Sequence, residues 1–558
     1  MSDDYDVLVI GSGFGGSVTA LRLTEKGYRV GVLEAGRRFA DEQFAKTSWR
    51  LRDYLWAPAL GCYGILRLTL LKDVMIMSGA GVGGGSLGYA NTLYEPPDAF
   101  YRDPQWSGIT DWKSELAPYY AQAKRMLGVT VNPVGTASDE ALRAVANDLG
   151  VGHTFARTPV GVLFAAGAQK PGAEVPDPFF GGAGPVRRTC TLCGSCMTGC
   201  RGNAKNTLVK NYLYLAERAG AEVHPLTTVR SVRQLTGGGY EVRTRRTGGL
   251  AGRVFTARQV VFAGGALGTQ RLLHRMRDRG LLPRIPARLG ELSRTNSESI
   301  LGARTRRADR DFSHGVAITS SIHPDPVTHV EPVRYGPGSN LLALLATVLV
   351  DDTGRTPRWW AAAKQLARAG RDRRLFVSPR NWSKETIVLL AMQPLDNSIT
   401  LHTRRGLFGR RLTSRPGIGE PNPVWVPAAH DVARRVAEKV DGVATGAATE
   451  LVGRPVTGHF IGGCAIGAVV DPYQRLIGYD GLHVIDGSVV SANLGVNPSL
   501  TITALAERAV ALWPNAGDPD PRPAMALPYL RLEPISPKNP VVPAHAPAAL
   551  RLTIGKPR

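Results

Sequence analysis

No apolar run in this chain is long enough to cross a membrane; the longest, Asn340 to Val350, falls well short of the roughly 20 residues a bilayer needs. Asp3 and Asp4 stand where a secretory leader would carry basic residues, and a strand pattern begins near Tyr5, so a leaderless cytoplasmic protein is expected. Cysteine is scarce, six in 558 residues, with four in one eleven-residue window and Cys62 and Cys464 alone, which excludes a secreted disulfide scaffold. Acid is also in short supply, leaving a formal net charge of +22. The basic residues are scattered and no nucleic-acid module accompanies them, so DNA and RNA are not expected partners, whereas an anionic membrane surface is. Internal repeats are absent. A chain of 558 residues, 43% apolar and 20% charged, implies a folded protein of two domains.

The strongest local pattern is Val7-Leu8-Val9-Ile10-Gly11-Ser12-Gly13-Phe14-Gly15-Gly16, with Glu34 eighteen residues further on. Four aliphatic residues in succession predict a strand buried on both faces, and Val18 to Lys26 has helical spacing. Gly11 makes the tight turn, Gly13 lets the backbone approach a pyrophosphate, and Gly16 lets helix and strand pack closely. Phosphate charge then meets the unpaired N–H groups at the helix start. A second strand, Tyr28 to Leu33, ends in Glu34, placed to accept from ribose hydroxyls and opposed to a 2′-phosphate. The pattern predicts a bound dinucleotide, FAD or NAD.

Further along, Thr47 to Val74 is aromatic-rich and interrupted by Arg50, Arg52, Arg67 and Lys72, which reads as ordinary core, as a lid over an apolar pocket or as a lipid-facing surface. A second glycine cluster, from Ser78 through Gly83, Gly84, Gly85 and Ser86 to Asn91, suits a backbone lying against something flat or anionic. Strands at Glu222–His224, Val229–Val232 and Gln259–Phe262 return to the first sheet. Residues 301–454 change to alternating strand-like segments, a mainly antiparallel second domain. Within it, Pro357 to Arg368 is a basic amphipathic helix with Trp359 and Trp360 near its start, expected to pack on the domain or to dock at a membrane interface. The expected fold is α/β: a doubly wound, Rossmann-like dinucleotide domain (1–300 and 455–513, with a Cys-rich insertion near 185–205) and a substrate domain at 301–454. Eleven prolines from Pro514 onward make residues 514–558 a strap or tail.

In order and spacing these pieces resemble the glucose–methanol–choline (GMC) oxidoreductases, which are FAD enzymes. Gly83-Gly84-Gly85-Ser86-Leu87 resembles that family's N-terminal signature. His459-Phe460-Ile461-Gly462-Gly463-Cys464 resembles its H-P-x-G-G-C element, with Phe460 in place of proline. Asp486-Gly487-Ser488, Gly495-Val496-Asn497-Pro498 and Thr501 to Arg508 resemble its C-terminal end, most closely in the cholesterol oxidase branch. The resemblance implies that Gly11, Gly13, Gly16 and Glu34 hold the AMP half of FAD and that Val229 meets the adenine. It also implies that Gly83, Gly84, Gly85, Ser86 and Asn91 flank the isoalloxazine, with Asp486 and Gly487 at the ribityl and pyrophosphate. His459 and Asn497 would face the reactive side. Histidine can take or orient a hydroxyl proton near neutral pH, and an asparagine amide orients a hydroxyl without adding charge. The implied activity is oxidation of the 3β-hydroxyl of cholesterol-like sterols with O₂ as acceptor. Glu385 or Glu331 is the candidate for moving a Δ5 double bond to Δ4. A dehydrogenase for another bulky or long-chain alcohol, and a non-catalytic membrane-associated flavoprotein, are the rival readings.

Cys190-x-x-Cys193-x-x-Cys196-x-x-x-Cys200 has the spacing of a ferredoxin cluster-binding run without its terminal proline. It is read either as a site for an iron–sulfur cluster or zinc, or as reduced thiols packing a loop. A cluster beside a flavin would pass electrons singly to a carrier.

Overall fold

The computed structural model describes residues 4–352, 354–406, 409–525 and 527–552; the end of the proline-rich segment, 553–558, lies outside the described residues. The first sheet grows from the two apolar strands of the glycine motif, β1 (Tyr5–Ile10) and β2 (Val30–Leu33), joined by helix α1 (Phe14–Glu25). Both pair in parallel, Val7 opposite Val30 and Ile10 opposite Leu33. Their side chains are buried on both faces, as an unbroken aliphatic run requires.

Four more strands, β3 (Glu222–His224), β4 (Thr227–Gln234), β5 (Tyr240–Arg246) and β6 (Gly252–Phe262), join almost 200 residues later. β3 extends the sheet beyond β2, and β6 lies on the other side of β1. The first half of β6 pairs antiparallel with β5, and its second half pairs in parallel with Leu482–Val484. Helix α2 (Ala266–Asp278) leaves the end of β6.

The second sheet is antiparallel throughout. Its strands are β7 (Ser299–Thr305), β8 (His329–Val333), β9 (Ala346–Val348), β10 (Thr386–Met392) and β11 (Gly442–Ala447), in the order β8-β10-β7-β11-β9. Helix α3 (Pro427–Lys439) covers one face through Val432, Val436 and Val440, packed against Leu301, Ala303 and Leu389. Within Gly315 to His323 only Ser320–Ser321 forms a strand, because its neighbours bond to single residues of other segments.

The chain leaves the first domain along Ser293-Arg294 and returns along Ile461-Gly462, and these two crossings pair with each other. Helix α4 (Ser499–Ala511) then packs on α1. Arg22 donates to both carboxylate oxygens of Glu507, at 3.0 and 2.9 Å, tying the two helices together inside the core. Residues 514–525 and 527–552 run without helix or strand along the domain, with Asn539 N donating to Glu25 O and Ala548 N to Phe179 O. Among the described residues no helix is long and apolar enough to cross a membrane.

Candidate active site

One cavity of about 1000 Å³ runs from the first glycine turn to the face of the second sheet. At its first end each glycine meets a different constraint. A Cβ on Gly11 (φ +108°) would lie 2.3 Å from Ala263 O, and one on Gly16 would lie 2.0 Å from Gly11 O. Gly13 has nothing within 4 Å of that position, so its backbone is open to the cavity. The first turn of α1 holds neither an acid nor a capping side chain, which leaves its N–H groups available to an anion. Glu34 is fixed by Ser12 N, Ser12 Oγ and Gly36 N at 3.0, 2.7 and 2.7 Å, and faces the cavity beside Val229. The second glycine segment touches the first: a Cβ on Gly84 would lie 2.6 Å from Gly13 Cα. Gly84 and Gly85 line the cavity, as do Asp486 and Gly487. Asp486 accepts from Ser488 N and Thr269 Oγ1, and burial holds its carboxyl above the usual range.

Three expected cofactor contacts lie behind this wall. Gly83 accepts from Ser86 Oγ at 2.7 Å, and Ser86 Oγ accepts in turn from Leu208 N at 3.0 Å, so both residues brace the turn from outside. Asn91 is fully buried with φ +71°, and neither atom of its amide has a hydrogen-bond partner.

At the other end His459, Asn497 and Glu331 converge. Asn497 Nδ2 lies 3.4 Å from His459 Nε2 and 3.2 Å from Glu331 Oε2. The other imidazole nitrogen, Nδ1, lies 3.2 Å from Glu298 Oε2 in a bent, chiefly electrostatic contact. That oxygen also accepts from Thr457 Oγ1 and Gly458 N, at 2.8 and 3.0 Å. Burial opposes charge on His459, but Glu298 outweighs it and holds the imidazole above its ordinary value. Burial pushes Glu331 up to about 8, so at neutral pH it keeps its proton. Asn497 Oδ1 lies at the cavity without a hydrogen-bond partner, whereas Glu331 sits behind the cavity wall with its Oε1 3.9 Å from His329 Nε2.

The loop carrying Asn497 is clamped by Asn296, whose Oδ1 accepts from Leu494 N and Gly495 N at 2.9 Å and whose Nδ2 donates to Val496 O. Glu298 and Asn296 escaped the sequence reading. Their signal was Arg294-Thr295-Asn296-Ser297-Glu298-Ser299, six polar residues in a row that are all buried at the crossing between domains.

Two sequence expectations are corrected. Glu385 is outside the cavity: it accepts from Arg304 Nε and Nη2, at 3.0 and 2.8 Å, and Arg304 also ties down Leu375, Ser378 and Arg380. Among the described residues no group of three or more His, Cys, Asp or Glu side chains is arranged to hold a metal ion. Cys190, Cys193, Cys196 and Cys200 border a small void, packed near Val160, Val162 and Val316. Burial pushes the Cys190 thiol up to about 12 and raises Cys196, which favours protonated sulfur over ligating thiolate. Lys205 braces the loop instead, donating to Leu87 O, Tyr89 O and Cys196 O at 3.0, 2.7 and 3.0 Å.

A doubly wound dinucleotide domain whose cavity continues onto an antiparallel substrate sheet, with an imidazole and an amide at the junction, defines a flavoprotein oxidoreductase. The GMC oxidoreductase model matches residues 181–276 and 414–506, and a NAD(P)-binding Rossmann-like model matches residues 9–41. A cholesterol oxidase of Mycobacterium tuberculosis is 59% identical over 99% of this chain and 98% of its own length. A cholesterol oxidase of Acinetobacter baumannii is 44% identical over 92% and 94%. The crystal structure of pyridoxine 4-oxidase from Mesorbium loti shares the fold, with a TM-score of 0.55 at 16% identity over 90% of this chain and 98% of that one. The chain belongs to the GMC oxidoreductase family and is therefore an FAD-dependent oxidoreductase acting on alcohols. The open face of Gly13, the uncapped start of α1, Glu34 and the Gly84–Gly85 wall fit that cofactor.

Proposed function

We propose that the protein oxidises the 3β-hydroxyl of a cholesterol-like sterol to the ketone, with O₂ as acceptor and H₂O₂ as product. The observation that carries this reading is the approach of His459 Nε2 and Asn497 Nδ2, 3.4 Å apart, at the apolar end of one continuous cavity. The wall there is built from Tyr335, Leu342, Trp382 and Leu390, surfaces suited to a rigid hydrocarbon skeleton. The identity to two cholesterol oxidases supports the sterol over a linear alcohol.

FAD, when bound, accepts the hydride from the carbinol carbon. The chain's own residues handle the proton and the orientation. Glu298 favours the tautomer with the proton on Nδ1, which leaves Nε2 to accept from the substrate hydroxyl. Asn497 Nδ2 donates to the same oxygen or to Glu331, and its unpartnered Oδ1 faces the reacting group. Turnover of sterols against fatty alcohols, with O₂ and with dye acceptors, tests the assignment. Faster turnover of fatty alcohols, or of dyes alone, would replace it with a dehydrogenase of another bulky alcohol.

A second activity, Δ5→Δ4 isomerisation, is favoured by Glu331. It is the carboxyl beside Asn497, it is buried, and its Oε1 has no hydrogen-bond partner. Contact with an anionic bilayer is supported by Trp359 and Trp360, 55% and 56% exposed on helix Arg358–Arg368 beside Lys364 and Arg368. Co-sedimentation with anionic vesicles should be lost in W359S/W360S; retention would sink that contact.

A further inference from the structure

The cofactor end of the cavity holds more positive charge than the residues around it neutralise. Arg67, Arg271 and Arg275 line it half-buried, and Arg230 lines it from the surface. No described carboxylate forms an ion pair or hydrogen bond with any of the four. Arg271 and Arg275 are one helical turn apart on α2, where like charges repel. Arg271 sits in the middle of that helix, whose first turn carries no acid, and Arg275 sits in its last turn. Glu34 is the acid whose charge acts on Arg67, and its two oxygens accept from Ser12 and Gly36 rather than from an arginine. Burial and the neighbouring Arg271 push Arg67 down to about 10, and Arg275 is lowered by burial together with Arg230, Arg279 and Arg271. Such a group is costly unless an anion joins it.

Arg67 reaches the cavity from strand Leu66–Leu70, which pairs with Met75–Gly79 and follows a short hairpin. Strands Trp56–Ala57 and Cys62–Tyr63 form a hairpin whose Tyr63 hydroxyl lies so close to the 247–249 turn that a Cβ on Gly248 would sit 1.8 Å from it. The Arg67 guanidinium lies 5.3 Å from the centre of the Trp56 ring, held at the base of that hairpin. Arg271 and Arg275 belong to the opposite side, the rigid helix α2.

We propose that Arg67, Arg271 and Arg275, with Arg230 at the rim, form a cationic collar that grips the pyrophosphate of the dinucleotide, Arg67 reaching it from strand Leu66–Leu70. Guanidinium suits the task because it stays charged when partly buried and pairs with phosphate oxygens in a fork. The collar trades stability of the empty protein for retention of the cofactor. The inference rests on FAD filling this cavity.

The test uses flavin-stripped full-length protein. FAD affinity is read by flavin fluorescence quenching across a salt series, and ADP and adenosine are compared by the shift each gives in melting temperature. R271Q/R275Q should weaken FAD at least tenfold and flatten the dependence of affinity on salt, while R271K/R275K stays within about threefold of wild type. ADP should stabilise the wild type more than adenosine does, and that advantage should vanish in R271Q/R275Q and shrink in R67Q. The empty R271Q/R275Q protein should melt no lower than empty wild type, since repulsion has been removed. FAD affinity within twofold of wild type with an unchanged salt dependence would overturn the collar. So would equal loss of ADP and adenosine binding, which would mean that the pocket had collapsed. If stripped wild type takes up no FAD at all, the cofactor assignment itself falls, and the collar with it.

Discussion

Replacing Glu298 with glutamine isolates the charge that sets the state of His459. Gln keeps the size of the side chain, and its carbonyl can still accept from Thr457 and Gly458. That carbonyl takes the place of Oε2, so it still faces Nδ1, but it no longer carries the charge that stabilises an imidazolium. At the observed 3.2 Å and an effective dielectric of about 20, the lost attraction to a protonated imidazole is about 5 kcal/mol, reduced by the two hydrogen bonds that share the same oxygen. A well-placed general base contributes about 10²–10⁴ in rate, or about 3–5 kcal/mol, which is the same size. E298Q should therefore lose at least about a hundredfold in kcat with little change in KM, read as slower anaerobic bleaching of the flavin's visible absorbance by sterol. The pH profile carries the sign. In the wild type kcat/KM falls as pH drops and His459 gains a proton, at a pH above the ordinary histidine range because Glu298 outweighs burial. Without that carboxylate burial prevails, and the acid limb moves to lower pH. A variant with full FAD content, kcat within threefold of wild type and an unmoved acid limb would refute this account of the site.

Asn497→Ala should lower kcat by about tenfold to a hundredfold, since it removes the amide shared by His459 and Glu331, with FAD content unchanged by absorbance. Glu331→Gln should abolish conjugated-enone formation while H₂O₂ production continues; in the wild type the isomerisation rate should climb as pH rises through about 8, because the base form exists only above that value. Loss of both activities together would make Glu331 a structural residue. Glu507→Ala should cost about 3 kcal/mol in urea unfolding, because it removes two hydrogen bonds from the buried Arg22 guanidinium, leaving it only Glu25, and takes the acceptor from the Tyr212 hydroxyl. Cys193→Ser combined with Cys200→Ser should leave the visible spectrum and turnover within about twofold, whereas loss of an absorbance band together with iron would restore a cluster-binding role.

The dinucleotide half was legible because its information is local. An aliphatic run, three glycines and an acid at a fixed interval dictate strand, turn, helix and strand with no distant help, and Gly11, Gly13, Gly16 and Glu34 stand where that pattern puts them. The change to alternating texture after residue 300 likewise announced the antiparallel sheet. Cysteine spacing misled, because spacing along the chain says nothing about burial: packing raised the thiols' proton affinity, and Lys205 took over as the brace. Glu385 misled for a related reason, since a glutamate at the start of a strand looks the same whether it faces a cavity or an arginine.

Sequence patterning alone determined the Rossmann-like half and the mainly antiparallel sheet after it, and family resemblance singled out His459 and Asn497. Only the tertiary structure decided which acids join them. Glu298 meets His459 because the outgoing and returning chain segments pair at Ser293–Arg294 and Ile461–Gly462, and Glu331 meets Asn497 across 166 residues because the edge strand of the second sheet faces the loop before α4. Contacts closed over such separations arise from packing whole domains against each other, and no short window of sequence contains that information.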